Sequence, residues 1–456
     1  MPRDTTASVT HANRVPGGYR EVSALAFPVA LSMLSQTVMW LVDTSFLGHL
    51  GTVEQGAAGL GGNCVWLLLS LFYSLSTGVN IFVAQYHGAQ TPTRCGLITW
   101  QGLYLSLFAW LPLLVCGLYA RQLVQFMGPS PALVEPAATY MRLRLLGTLP
   151  ALCSFTLLGF FRGIGDMLTP LWVTALTNGL NVVLDYLLIF GHAGFPPLGV
   201  AGAAWATVLS TGVGSLLYLG LFWQRGQRQG LLAQWLEPFT RREAWRLLRV
   251  SFPVGFQGML ESSAWTLFTV FVARLGAVEA AAHQIALSVL SLAYMLAFGV
   301  TIAATTLVGR YLGAGKQHEA WQSARSCVTL AAVGLGVLGT GLVLGRHGLV
   351  AVFNRDAAVQ LLGTRLLLSV ALFQVCQGLA LVAAGILRGA GDTRWPMVVG
   401  VAISWGLFLP GAWLVMFPMQ GGVSGGWLSA LLYGVVLVLA MLLRVWRGGW
   451  RHYTLV

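Results

Sequence analysis

The feature that most constrains this chain is the length of its uncharged apolar runs. Gly61 to Ala84, Leu97 to Ala120 and Val200 to Trp223 contain no charged residue, and each exceeds the roughly 20 residues that carry an α-helix across about 30 Å of hydrocarbon. Only 9% of residues are charged, 56% are hydrophobic and the mean hydropathy is +0.74, whereas a soluble domain carries about 25% charge. Such a chain would aggregate in water, so its solvent is lipid. There every backbone polar group needs a partner inside the protein, and a helix supplies one by itself.

Gly, Pro and charge punctuate the chain into helices near 22–47, 57–86, 97–119, 135–161, 169–191 and 199–223, then 248–274, 281–309, 322–345, 358–387, 395–417 and 422–445. The expected fold is an all-α membrane protein with about twelve transmembrane helices. The first stretch, from Val22, contains Asp43 and has no small-residue cleavage site at its end, so it reads as a retained helix rather than a signal peptide.

Net charge is +12 and the pI about 9.9. In lipid this excess is read by position. Arg94, Arg162, the run from Arg225 to Arg249, Arg310, Lys316, Arg325, Arg388, Arg394, Arg444, Arg447 and Arg451 fall in every second connection. By the positive-inside rule these face the cytoplasm together with Arg3, Arg14 and Arg20, which puts both termini there and makes the number of spans even. The expected partners of this charge are anionic lipid headgroups, not nucleic acid. The six cysteines show no metal or C-x-x-C spacing and read as small buried hydrophobes. His49, His87, His192, His283, His318 and His347 are expected at helix ends.

The pattern is used twice. A shift of 225 positions carries Phe27-Pro28-Val29 onto Phe252-Pro253-Val254, and Tyr86 with Gly88-Ala89 onto Tyr311 with Gly313-Ala314. A shift of 226 carries Arg162-Gly163-Ile164-Gly165-Asp166 and Pro170 onto Arg388-Gly389-Ala390-Gly391-Asp392 and Pro396. The expected organisation is a cytoplasmic tail at 1–21, a six-helix bundle at 22–223, a cytoplasmic linker at 224–247, a second six-helix bundle at 248–445 and a cytoplasmic tail at 446–456. An even helix count per repeat relates the two pseudo-symmetric bundles by an axis along the membrane normal, with a substrate path between them.

A charge at the bilayer centre costs at least about 2.5–3.5 kcal/mol, so intramembrane acids mark function. Of all the acids, Asp43, Asp185 and Glu261 alone fall inside apolar segments, and no Lys or Arg lies within a turn or two of them along the chain. Asn178, Asn181 and Asp185 share one helical face by spacing. That face supplies hard oxygen ligands for a cation or partners for a protonated acid. Thr207 on the next helix can add an oxygen, although a threonine bonded to its own helix is the commoner outcome. The repeat gives Phe268 opposite Asp43, Pro410 or Gly411 opposite Asp185, and Gln36 opposite Glu261. Ion coupling is therefore expected in the first half, with Glu261 as a separate site. No G-x-x-x-x-G-K-[ST], H-E-x-x-H or G-x-S-x-G motif occurs. A non-enzymatic protein without a cofactor is expected, and aromatics facing the path would stack on flat cationic compounds.

Over nearly its whole length the sequence resembles the multidrug and toxic compound extrusion (MATE) family. The resemblance rests on Val42-Asp43-Thr44 with Gly48, Gln85 with Gly88-Ala89, Leu158-Gly159 through Asp166, Asn181 with Asp185, Gly199-Val200-Ala201-Gly202-Ala203-Ala204, and Gly385-Ile386-Leu387-Arg388-Gly389 with Asp392. It implies a V-shaped pair of six-helix bundles that export amphiphilic, often cationic drugs against protons or sodium. It also implies a cation site at Asp43, Asn181 and Asp185, with Thr207 a weaker match and sodium a candidate occupant. Glu261, eight residues after Pro253, resembles the seventh-helix glutamate of two branches of the family. The tenth-helix acid of one branch is missing, since Leu366 to Leu387 offers only Gln374 and Gln377. Gln36, Glu261 and Gln377 are thus the candidate residues for substrate or a second cation. A monomeric, multi-pass plasma-membrane protein is expected, in the inner membrane if bacterial. The alternatives are a flippase for lipid-linked saccharides, from a related superfamily, and an intramembrane enzyme or structural protein.

Overall fold

The computed structural model describes residues 15–231 and 236–455. Most of the expected N-terminal tail, with Arg3 and Arg14, and part of the expected linker lie outside the described residues. The first repeat comprises α1 (Tyr19–Leu50), α2 (Thr52–Gly88), α3 (Pro92–Leu118), the short α4 (Ala120–Phe126), α5 (Pro131–Leu146), α6 (Leu149–Gly163), α7 (Leu168–Phe190) and α8 (Val200–Arg228). The second comprises α9 (Arg241–Ala273), α10 (Ala277–Gly313), α11 (Gln317–Phe353), α12 (Ala357–Gly389), α13 (Arg394–Ile403), a π-helical turn (Ser404–Phe408), α14 (Leu409–Met416) and α15 (Gly422–Trp446). Among the described residues, ten helical segments are long and apolar enough to cross a membrane, and α5 with α6 make an eleventh. The remaining expected span is α9, whose 33 residues suffice in length but open on Arg241, Arg242, Glu243, Arg246 and Arg249. That charged start also places the helix's beginning earlier than the expected 248.

The fourth span is not the single helix expected over 135–161. It bends by 52° between α5 and α6. Pro150 sits in the first turn of α6, where its ring removes one N–H and blocks the carbonyl of residue 146. In lipid that carbonyl cannot turn to water. Trp110 fills the gap: its indole Nε1 donates to Leu146 O at 3.1 Å.

The strongest sequence echo is a structural device used twice. Gly165 and Gly391 have φ of +84° and +94°, a left-handed conformation that only glycine adopts without strain. Each turn delivers an aspartate to the next helix: Asp166 Oδ1 accepts from Thr169 N at 3.0 Å and Asp392 Oδ1 from Trp395 N at 3.3 Å. An arginine from the last helix of each repeat closes the arrangement, with Arg225 paired to Asp166 and Arg444 paired to Asp392. Helix crossings repeat as well. Gly385 and Gly389 of α12 press on α10 so closely that a Cβ would lie 2.8 Å from Thr301 O and 2.6 Å from Thr305 O. Gly159 and Gly163 of α6 press in the same way on Ser76 and Asn80 of α2, the small-residue contact that lets helices associate in lipid.

Two compact units emerge, residues 31–259 and residues 1–30 with 260–456. The first helix of each repeat is shared between them. The opening half of α1 packs in the second unit, where a Cβ on Gly299 of α10 would lie 2.7 Å from Ala26 O. The opening half of α9 packs in the first unit, where Gly255 lies against Leu71 and Ser74 of α2.

Candidate functional site

Within the unit spanning 31–259, α1 and α7 run side by side. Asn178 Nδ2 donates to Ser35 Oγ at 2.8 Å, and further along Phe46 packs on Tyr186 and Phe190 with ring centroids 6.5 and 5.8 Å apart. Between these two contacts the carboxyl groups of Asp43 and Asp185 interact side chain to side chain. Asp43 is half-buried; Asp185 and Asn181 are buried. Asp43 Oδ1, both Asp185 oxygens, and the Oδ1 and Nδ2 of Asn181 have no hydrogen-bond partner of good geometry. Unpaired polar atoms in the interior are costly.

Thr207 takes the commoner threonine outcome, donating to Ala203 O of its own helix at 2.9 Å. Its oxygen can still accept. Two residues that the sequence did not place beside these acids complete the surroundings. Tyr140 of α5 packs against the cluster of Leu47, Ile189 and Ala203, and Leu47 and Ile189 lie one turn beyond Asp43 and Asp185. Arg144, one turn beyond Tyr140, holds its guanidinium 5.8 Å over the Tyr140 ring, and its charge acts on both carboxylates. The pair is therefore not uncompensated, as chain neighbours alone implied. Its countercharge arrives from another helix.

The other unit differs in kind. Phe268, at the position of Asp43, is fully buried among Trp265, Phe408 and Trp427, with centroids 5.1–6.0 Å away. Beside this aromatic cluster lies a cavity of about 420 Å³ walled by Trp265, Tyr294 and Phe373, with Gln374 and Gln377 at its edge. Gln374 Nε2 donates to Leu335 O at 3.0 Å, which leaves its Oε1, like that of Gln377, buried and unpaired. Glu261 is half-buried and interacts electrostatically with Arg388 and Tyr433, so it too has a cationic neighbour. Gln36 is exposed on α1 and lines neither described cavity. His283 is not at a solvated helix end: α10 starts at Ala277, and His283 is 1% exposed, bonded to Thr269 Oγ1 at 3.1 Å. All six cysteines are free, with Cys95 and Cys327 fully buried. Among the described residues no cluster of three His, Cys, Asp or Glu could hold a metal.

The MatE family model matches residues 28–187 and 253–414, the two repeats. This chain belongs to the MatE family. A relative described as "Probable multidrug resistance protein NorM" in Thermotoga maritima is 30% identical over 418 residues, 91% of this chain and 90% of the relative. Among solved structures, a MATE in complex with MaL6 superposes with a TM-score of 0.86 at 21% identity, covering 95% of this chain and 97% of the other. The eukaryotic MATE transporter AtDTX14 gives 0.84 at 18% identity, with 95% and 96% covered. These likenesses show that the MatE fold is kept where most side chains have changed.

Proposed function

We propose that this MatE protein is a secondary multidrug exporter of the plasma membrane, monomeric with both termini cytoplasmic, which expels amphiphilic, often cationic compounds in exchange for protons by alternating access. The observation that carries the reading is the facing pair Asp43 and Asp185 in a cluster of unpaired oxygens. Two carboxyls in a low dielectric hold one shared proton more cheaply than two charges. No cofactor is required; the gradient supplies the energy.

Sodium is the second reading, because Asp43 Oδ1, both Asp185 oxygens and Asn181 Oδ1 form a set of hard ligands of the kind that chelates such a cation. Purified protein in liposomes separates the two. With an imposed pH gradient and no sodium, a fluorescent cation should move against its own gradient, and Asp185→Asn should remove the response. Movement driven by a sodium gradient alone, indifferent to pH, would show that the proton assignment is wrong.

A further inference from the structure

Away from both carboxylate sites, a groove of about 720 Å³ lies where the start of α1 meets the first turns of α11. It is lined by Tyr19 and Arg20 from α1 and by His318, Trp321, Arg325 and Thr329 from α11. The α11 residues follow the three-to-four spacing of one helical face.

The walls are fixed. Gly17 sits so tightly on α11 that a Cβ would lie 2.8 Å from both Glu319 O and Ser323 Oγ. Gly17 N donates to Glu21 Oε2 at 2.8 Å, and Tyr311 Oη donates to the same oxygen at 2.7 Å. The acid of the first turn of α1 is thus turned onto Tyr311. Among the described residues, Arg20, Arg325 and His318 have no acidic partner within 4 Å. Trp321 is held from behind by the Arg451 guanidinium, 4.0 Å over its ring, and by Trp446 at 5.5 Å.

Beyond Thr329 the same face of α11 continues as Val333 and Val337, which are 61% and 69% exposed. The surface is therefore basic and aromatic at one end and apolar along the other. α11 has 37 residues, about 55 Å of helix, well over the roughly 30 Å of hydrocarbon. Its first turns therefore stand at headgroup depth, where Tyr and Trp are favoured.

We propose that this groove is a binding site for an anionic phospholipid. The phosphodiester sits between Arg20 and Arg325, whose planar N–H forks match phosphate oxygens, and one acyl chain lies along Thr329, Val333 and Val337. A free phosphate would leave the apolar stripe unused. Residues 1–14 of the same chain, with Arg3 and Arg14 against Asp4, do not complement its charge.

The test is lipid retention by the full-length protein, read by native mass spectrometry after exchange into detergent with phosphatidylglycerol, phosphatidylcholine or inorganic phosphate. Wild type should retain phosphatidylglycerol over phosphatidylcholine. Arg20→Gln with Arg325→Gln should lower that retention roughly tenfold to thirtyfold, while Arg228→Gln, an exposed arginine at the end of α8, should leave it unchanged. The lysine pair Arg20→Lys with Arg325→Lys keeps the charge and should retain most of the lipid, which separates lost recognition from lost folding. Equal retention by the glutamine variant, or no preference over phosphatidylcholine, overturns the site. So does displacement of the lipid by equimolar inorganic phosphate, which would make the groove a plain anion site.

Discussion

At the scale of single residues, the informative contrast is between acids that the chain order isolates and acids that the fold compensates. Asp43 and Asp185 stand alone in sequence, but α5 brings Arg144 to them. Asp43→Asn should abolish drug efflux while membrane insertion is kept, because an amide at that position cannot take up and release a proton. Arg144→Gln should preserve folding but make transport sensitive to sodium, since it removes a positive charge that repels the ion from the carboxylates. Resistance assays at matched expression check the first, and liposome assays with and without sodium the second. Unchanged resistance, or unchanged indifference to sodium, would remove the corresponding role. Glu261 interacts with Arg388 in the other unit, and Glu261→Gln should weaken export of cations more than of neutral drugs; equal loss of both would indicate packing alone. The three intramembrane acids were legible because charge in lipid is conspicuous. Arg144 and Tyr140 were not, because a side chain's neighbours across helices leave no trace in the spacing of its own segment.

At the scale of elements, periodicity and length found every long apolar helix, and the departures are a bend inside one span and helices that start earlier than expected. Pro150 breaks the fourth span, and α10 starts early enough to bury His283. Both depend on local packing that composition averages away. The glycine crossings are the counterpart: Gly159 on Ser76 and Gly385 on Thr301 occupy equivalent places in the two repeats. Gly159→Val and Gly385→Val should each cost about 1–3 kcal/mol by overpacking, lowering the midpoint of thermal unfolding in detergent. Gly179→Ala, with no atom within 4 Å of its added Cβ, should not. A Gly385→Val protein as stable as Gly179→Ala would contradict the crossing as drawn.

At the scale of the molecule, the repeat in sequence and the units in space divide the chain differently at one element each. Residues 31–259 form one unit, in which α9 covers α2 through Gly255 on Leu71 and Ser251 on Gly78. A fragment of residues 31–259 in detergent should therefore resist limited proteolysis better than one of residues 22–223, which exposes that face of α2. Equal digestion would mean that the cover contributes little. The sharing of α1 also sets a schedule during synthesis. Its later half, from Leu31, can find its neighbours once Met259 has left the ribosome, but its opening half must wait for Leu260 and beyond. At about 5–20 residues per second the 64 residues from Leu260 to Ser323, which supply its contacts, take roughly three to thirteen seconds. The two ends of one helix are thus completed at different times, the opening turns only after α10 and the start of α11 have been made.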